Sequence, residues 1–140
     1  MFASLDISTS GLVAQQTRLM TISSNLANIS SLRNENGELE PYQAKYPIFT
    51  PDETQATPSG GVGVKVTAIE TETIEPRYRY QPHHPMAIQS GKWKGYVAYP
   101  NINVMAEFVD ALEATRAYEA NLGVMELTKN MAQQTLQILV

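Results

Sequence analysis

The chemistry open to this 140-residue chain is narrow. Glu107, Asp110 and Glu113 recur in steps of three, which on a helix brings carboxylates to one side, the arrangement of a general acid and base. Close to a helix start, where the dipole favours negative charge, the same acids read as a solvated stripe. His83 and His84 are the only histidines, and between Pro82 and Pro85 their side chains diverge, so they read as a surface turn and not a metal pair. Gly60-Gly61-Val62-Gly63 has the composition of a phosphate loop, but no Gly-Lys-Ser/Thr follows and no helical pattern begins there, which makes it a turn entering a strand. Arg77-Tyr78-Arg79-Tyr80 and Lys92-Trp93-Lys94 mix charge and aromatic faces as a single-stranded nucleic-acid site does. The surrounding segment is net acidic, however, and cross-strand aromatic packing with solvated arginines accounts for the pattern. No Gly-x-Ser-x-Gly elbow occurs, and the absence of cysteine excludes disulfides, thiolate zinc sites and cysteine nucleophiles. The expectation is a protein that is not an enzyme and uses no cofactor or metal.

The elements that would carry these residues are uneven in charge. Residues 1–32 hold only Asp6 and Arg18, residues 33–100 hold seven basic and eight acidic side chains, and residues 101–140 hold two and five. In the first segment Leu5, Leu12, Leu19 and Leu26 recur every seventh residue, with Gln15, Ile22 and Ile29 three residues after the last three, which predicts an amphipathic helix over about 4–30 with a heptad-like seam. Its outer face offers Ser, Thr, Gln and Asn where a solvated helix would use Lys and Glu, and such a face suits contact with other protein. A second helix is predicted over about 103–139, capped by Asn101 or Asn103. Its stripe runs Val104, Phe108, Ala111, Thr115, Tyr118, Leu122, Met125, Lys129, Ala132, Leu136, Leu139. The net charge of −4, the lack of any long apolar run and a start without a basic leader point to a soluble chain with no cleaved signal and no attraction to nucleic acid or membrane.

The middle gathers the prolines and most of the glycines, so it is no long helix. Alternation predicts short strands near 62–72, 76–81 and 96–99, with an extended piece at Tyr46 to Phe49. The fold class expected is α+β: long N- and C-terminal helices in a coiled-coil-like layer (residues 1–32 and 101–140) around a small β-rich, loop-rich central region (33–100). A helix of that length is about 55 Å long, whereas a compact chain of this size spans roughly 35–40 Å. The molecule should be elongated, with apolar stripes left for partners.

Ile22-Ser23-Ser24-Asn25-Leu26-Ala27-Asn28 resembles the signature that closes the N-terminal helix of bacterial flagellar axial proteins. Gly95-Tyr96-Val97-Ala98-Tyr99-Pro100-Asn101-Ile102-Asn103-Val104 narrows this, since it is similar to the Gly-Tyr-Val-x-x-Pro-Asn-Val-Asn-Val of the proximal-rod branch of that family. Tyr80, Pro82, His84 and Pro85, then Phe108-Val109-Asp110 and Ala114 to Asn121, resemble that branch too, while Met86 to Lys94 is longer and more basic than its usual linker. The resemblance implies a structural subunit exported by the flagellar type III apparatus and built into the periplasmic rod of the basal body. Its implied neighbours are further copies, rod subunits of the FlgB, FlgF and FlgG types and the basal adaptor FliE. The assembly interface expected comprises Leu5, Leu12, Leu19, Ile22, Asn25, Leu26, Asn28 and Ile29 on the first helix. On the second it comprises Phe108, Ala111, Tyr118, Leu122, Met125, Leu136 and Leu139. Two other readings are an axial subunit of the FlgB type and a small nucleic-acid-binding module.

Overall fold

Uninterrupted helix formers at both ends of the chain become two long helices in the computed structural model, which describes residues 2–34, 36–57 and 60–138. The first, α1 (Phe2–Ala27), ends three residues before the sequence expectation, because Asn28 to Ser30 close it as a hydrogen-bonded turn. The second, α2 (Val104–Ile138), opens on Asn103, whose Oδ1 accepts from the backbone N–H of Met105 at 3.1 Å and of Ala106 at 3.4 Å. At 1.5 Å per residue the two are about 39 and 52 Å long.

Between them lie two antiparallel ribbons. One pairs β1 (Lys45–Asp52) with β2 (Gly63–Thr71), and the other pairs β3 (Arg77–Tyr80) with β4 (Tyr96–Tyr99). The expected short extended piece at Tyr46 grows into the eight-residue β1, although it contains Pro47 and Pro51. Both prolines are tolerated because β1 has a strand neighbour on one side only. Val62, expected in the second strand, lies just outside it and is exposed.

Two side chains of α1 fasten the first ribbon along the helix. Ser10 Oγ accepts from the Val64 N–H at 3.0 Å. Asn25 donates to the Lys45 carbonyl and accepts from the Lys45 N–H, both at 2.9 Å, so one amide side chain satisfies a backbone donor and acceptor as a neighbouring strand would. Gly63 is buried and Val64 and Val66 are half-buried at the end of β2 nearest Ser10, whereas Thr67 to Thr71 are exposed.

Little side-chain volume is enclosed. Among the described residues the buried apolar ones are Ala14, Ile22, Ala87, Val97, Ile102 and Ala114, and of these only Val97 is both large and sealed. The accessible surface is 9900 Å² for 15.5 kDa, against roughly 7,200 Å² from the scaling for compact monomers. This excess is the area of two long helices with bare outer faces, and the expected elongated α+β architecture is what the chain adopts.

Candidate assembly interface

The helices run antiparallel in close contact, as three facing pairs demonstrate: Gly11 with Asn121, Arg18 with Asp110, and Asn25 with Glu107. The seam is made of small side chains. A Cβ at Gly11 would sit 3.0 Å from the Asn121 amide, and Ala14 and Ala114 are buried at 2 % and 0 % exposure. Of the row that the heptad reading makes the seam, Ile22 is buried, whereas Leu5, Leu12, Leu19, Leu26 and Ile29 remain half-buried. Small residues win the centre because they let two backbones approach, and seven-residue spacing alone does not say which flank of the leucine row faces the partner helix.

Arg18, the one cation of α1, crosses this seam. Its Nε and Nη2 donate to the two oxygens of Asp110, and Nη2 also donates to Glu113 at 3.2 Å. The Asp110 hydrogen bond, opposed by burial, raises the guanidinium pKa. Two of the three acids expected to be a solvated stripe also pair with Arg18 of the other helix while staying 46 % and 69 % exposed, so the fork shape of the guanidinium sets helix register more than it stabilises. The third, Glu107, is half-buried beside Asn25, whose Nδ2 lies 3.3 and 3.4 Å from its oxygens. Desolvation raises its carboxyl pKa, and the Asn25 hydrogen bond offsets part of that rise.

The expected interface residues fall into three groups. Ile22 and Asn25 are buried in the molecule's own core, and Asn25 also accepts from the Tyr42 hydroxyl at 3.1 Å. Leu5, Leu12, Leu19, Leu26, Asn28, Ile29, Ala111 and Met125 are half-buried, with Asn28 Nδ2 donating back to the Ser24 carbonyl at 2.9 Å. Phe108, Tyr118, Leu122 and Leu136 are exposed, and Leu139 lies outside the described residues. The stripe reading missed Met105, Val109, Leu112, Val124, Leu127 and Met131, all large and exposed. Their signal was the spread of large apolar residues around α2 outside the single stripe, which makes the helix apolar on its outer as well as its inner faces.

The threonine hydroxyls on these helices are satisfied internally. All six helical threonines, Thr9, Thr17, Thr21, Thr115, Thr128 and Thr135, donate their hydroxyl to the carbonyl four residues earlier at 2.8–3.0 Å. A hydroxyl satisfied in this way gives up little when a partner displaces water.

The histidines are structural or exposed: His84 Nδ1 accepts from the Met86 N–H at 3.1 Å, and His83 faces solvent. Tyr78 and Trp93 stack on each other at 4.2 Å with their planes 3° apart.

Comparison with known proteins agrees along the chain. Residues 5–30 match the family described as flagella basal body rod protein, and residues 94–138 match the flagellar basal body rod FlgEFG protein C-terminal family. The flagellar basal-body rod protein FlgC of Borreliella burgdorferi is 38% identical over 99% of this chain and 97% of its own length. The protein of that name from Salmonella typhimurium is 38% identical over 95% of this chain and 93% of its own length. That from Bacillus subtilis is 35% identical, covering 98% and 97%. Terminal helices in the expected places, a seam closed by Asn25 and an α2 apolar on both sides thus accompany full-length similarity, and the chain belongs to the FlgC family of flagellar basal-body rod proteins.

Proposed function

We propose that this structural subunit of the flagellar basal-body rod polymerises through its two terminal helices, and that the resulting periplasmic shaft transmits torque without a catalytic step. The observation that carries the reading is the outer face of α2, where Met105, Phe108, Val109 and Leu112 stand exposed with no charged side chain between them on that face. A free-standing monomer would leave a contiguous apolar surface in water, and a neighbouring helix layer would bury it. The half-buried leucine row of α1 borders the same helix pair, so Leu5, Leu12, Leu19 and Leu26 would be completed by the neighbour that covers Phe108, Tyr118, Leu122 and Leu136. In this reading residues 1–32 and 101–140 form an inner helical layer and residues 33–100 an outer one. The neighbours are further copies, rod subunits of the FlgB, FlgF and FlgG types and the adaptor FliE, and the chain reaches them through the type III export apparatus. The nucleic-acid alternative has little in its favour, because Tyr78 and Trp93 occupy each other's faces.

Replacing Met105 and Phe108 by Glu tests this. Both side chains are exposed in the monomer, at 72 % and 54 %, so the purified variant should keep the circular dichroism and melting temperature of the parent. The same variant should be exported but absent from purified basal bodies, and the cells non-motile. Normal incorporation would overturn the assignment of assembly to the helices.

A further inference from the structure

Charge in the central region is sorted along the chain. From 66 to 75 there are three acids, Glu70, Glu72 and Glu75, and no base; from 76 to 106 there are four bases, Arg77, Arg79, Lys92 and Lys94, and no acid. All seven side chains are exposed, and among the described residues no ion pair joins the two groups. Each group is held on a pre-formed scaffold.

The basic residues sit on a plate bolted together by aromatic rings. Besides the Tyr78–Trp93 stack, Tyr96 meets Tyr80 and Trp93 edge-on at 5.2 and 5.5 Å. The segment between β3 and β4 is tied at its root by backbone bonds from Gln81 N–H to the Gly95 carbonyl and from Gly95 N–H to the Ile88 carbonyl, each 2.9 Å. Gly95 makes this possible: its φ is +81°, and a Cβ there would stand 3.1 Å from the Tyr80 ring. Lys92 lies over the Trp93 ring at 5.3 Å and Arg79 over Tyr99 at 5.7 Å, so two of the four cations are oriented before any partner arrives. Of the acids, Glu70 sits on the exposed end of β2, and Glu72 and Glu75 on the irregular stretch that follows it. Pairing with β1 keeps Glu70 extended, and Ile69 and Ile74 stand exposed among the acids as Tyr80 and Trp93 do among the bases.

We propose that the Glu70–Glu75 arm of one copy docks on the basic aromatic plate of a second copy. Three negative charges face four positive ones, and each side offers apolar side chains between its charges. The contact uses two different patches, so it is heterologous and repeats from copy to copy around a ring or along a helix. It rests on the polymer reading above and adds to it: the bare face of α2 supplies the burial, while the sorted charges fix which way the next copy turns.

The chain contains no cysteine, so introduced thiols report this contact alone. Glu72→Cys and Lys92→Cys, placed on separate copies expressed together and treated with a short bismaleimide in purified basal bodies, should give a cross-linked dimer. In an equal mixture it should form at about a quarter of the interfaces, the statistical share of a heterologous contact. Neither variant alone should give one. Both variants incorporated with no dimer would overturn the docking and leave the polymer reading standing, whereas absence of the parent chain from basal bodies would sink the polymer reading itself. A second arm uses charge: Lys92→Glu with Lys94→Glu should lower incorporation severalfold, and adding Glu70→Lys with Glu72→Lys to the same chain should restore it. Loss that the second pair cannot repair would count against the proposal, as would incorporation indifferent to the first pair.

Discussion

The terminal helix pair and the β3–β4 unit solve the same packing problem in opposite ways. The helices meet through Gly11, Ala14 and Ala114 and leave their large side chains outside, with Met105, Leu127 and Met131 all more than half exposed. The β3–β4 unit seals Val97 at 1 % exposure, stacks its rings on one another and turns charge outward. One region is finished by its own chain, and the other, in the proposed assembly, by a neighbour. Local stability should therefore reside in small and polar contacts where the helices touch, and assembly in the bulky residues that look like a core but are not one.

The most severe way to break this contrast is at Asn25, which joins the helix seam to β1. Asn25→Ala leaves the Lys45 N–H and carbonyl without this partner and the Tyr42 hydroxyl with Ser24 alone. It should lower the unfolding free energy of the purified monomer by about 2–3 kcal/mol, measured by urea titration; a loss below about 0.5 kcal/mol would mean the amide is not the fastening point. Next comes Ala114→Leu, which forces a large side chain into a site with no exposure and should cost about 1–3 kcal/mol. Leu127→Ala, which trims a side chain 65 % exposed, should stay within about 0.5 kcal/mol. If the two matched, the small-residue seam would not be what holds the monomer.

A subtler probe is the pH dependence of Glu107. Its folded-state pKa is raised, chiefly by desolvation, so the folded protein holds a proton that the unfolded chain has already released. The native state is then favoured at and below the ordinary carboxylate range, and that advantage is lost as pH rises through the folded pKa. Glu107→Gln keeps an acceptor for Asn25 and should flatten the fall in stability on the alkaline side of that window, seen as a smaller change in melting temperature there. An unchanged profile would place the pH dependence elsewhere. The smallest effect is expected for Lys92→Ser with Lys94→Ser, which touches only exposed charge and should leave monomer unfolding within about 0.5 kcal/mol. Its consequences for incorporation should be milder than those of the Met105 and Phe108 substitutions, because rim charges orient a contact that apolar surface stabilises.

Some of this molecule was legible from its residues alone. Unbroken helical periodicity at both ends and proline and glycine in between settle that two long helices flank a ribbon region, because each is a local property of the backbone. Asn103 as a cap and Tyr96 to Tyr99 as a strand follow from the same local rules. The family signature around Asn25 was equally plain, but its physical task was not: the amide's partners at Lys45 and Glu107 lie 20 and 82 residues away. What only the tertiary structure decided is which face of each helix turns inward. A row of leucines every seventh residue names a stripe, yet helices approach closest where side chains are smallest, and that choice belongs to the pair. The antiparallel alignment that puts Gly11 against Asn121 and Arg18 against Asp110 buried Ile22, left the leucine row half-buried, and gave the solvated acidic stripe a cation from the other helix.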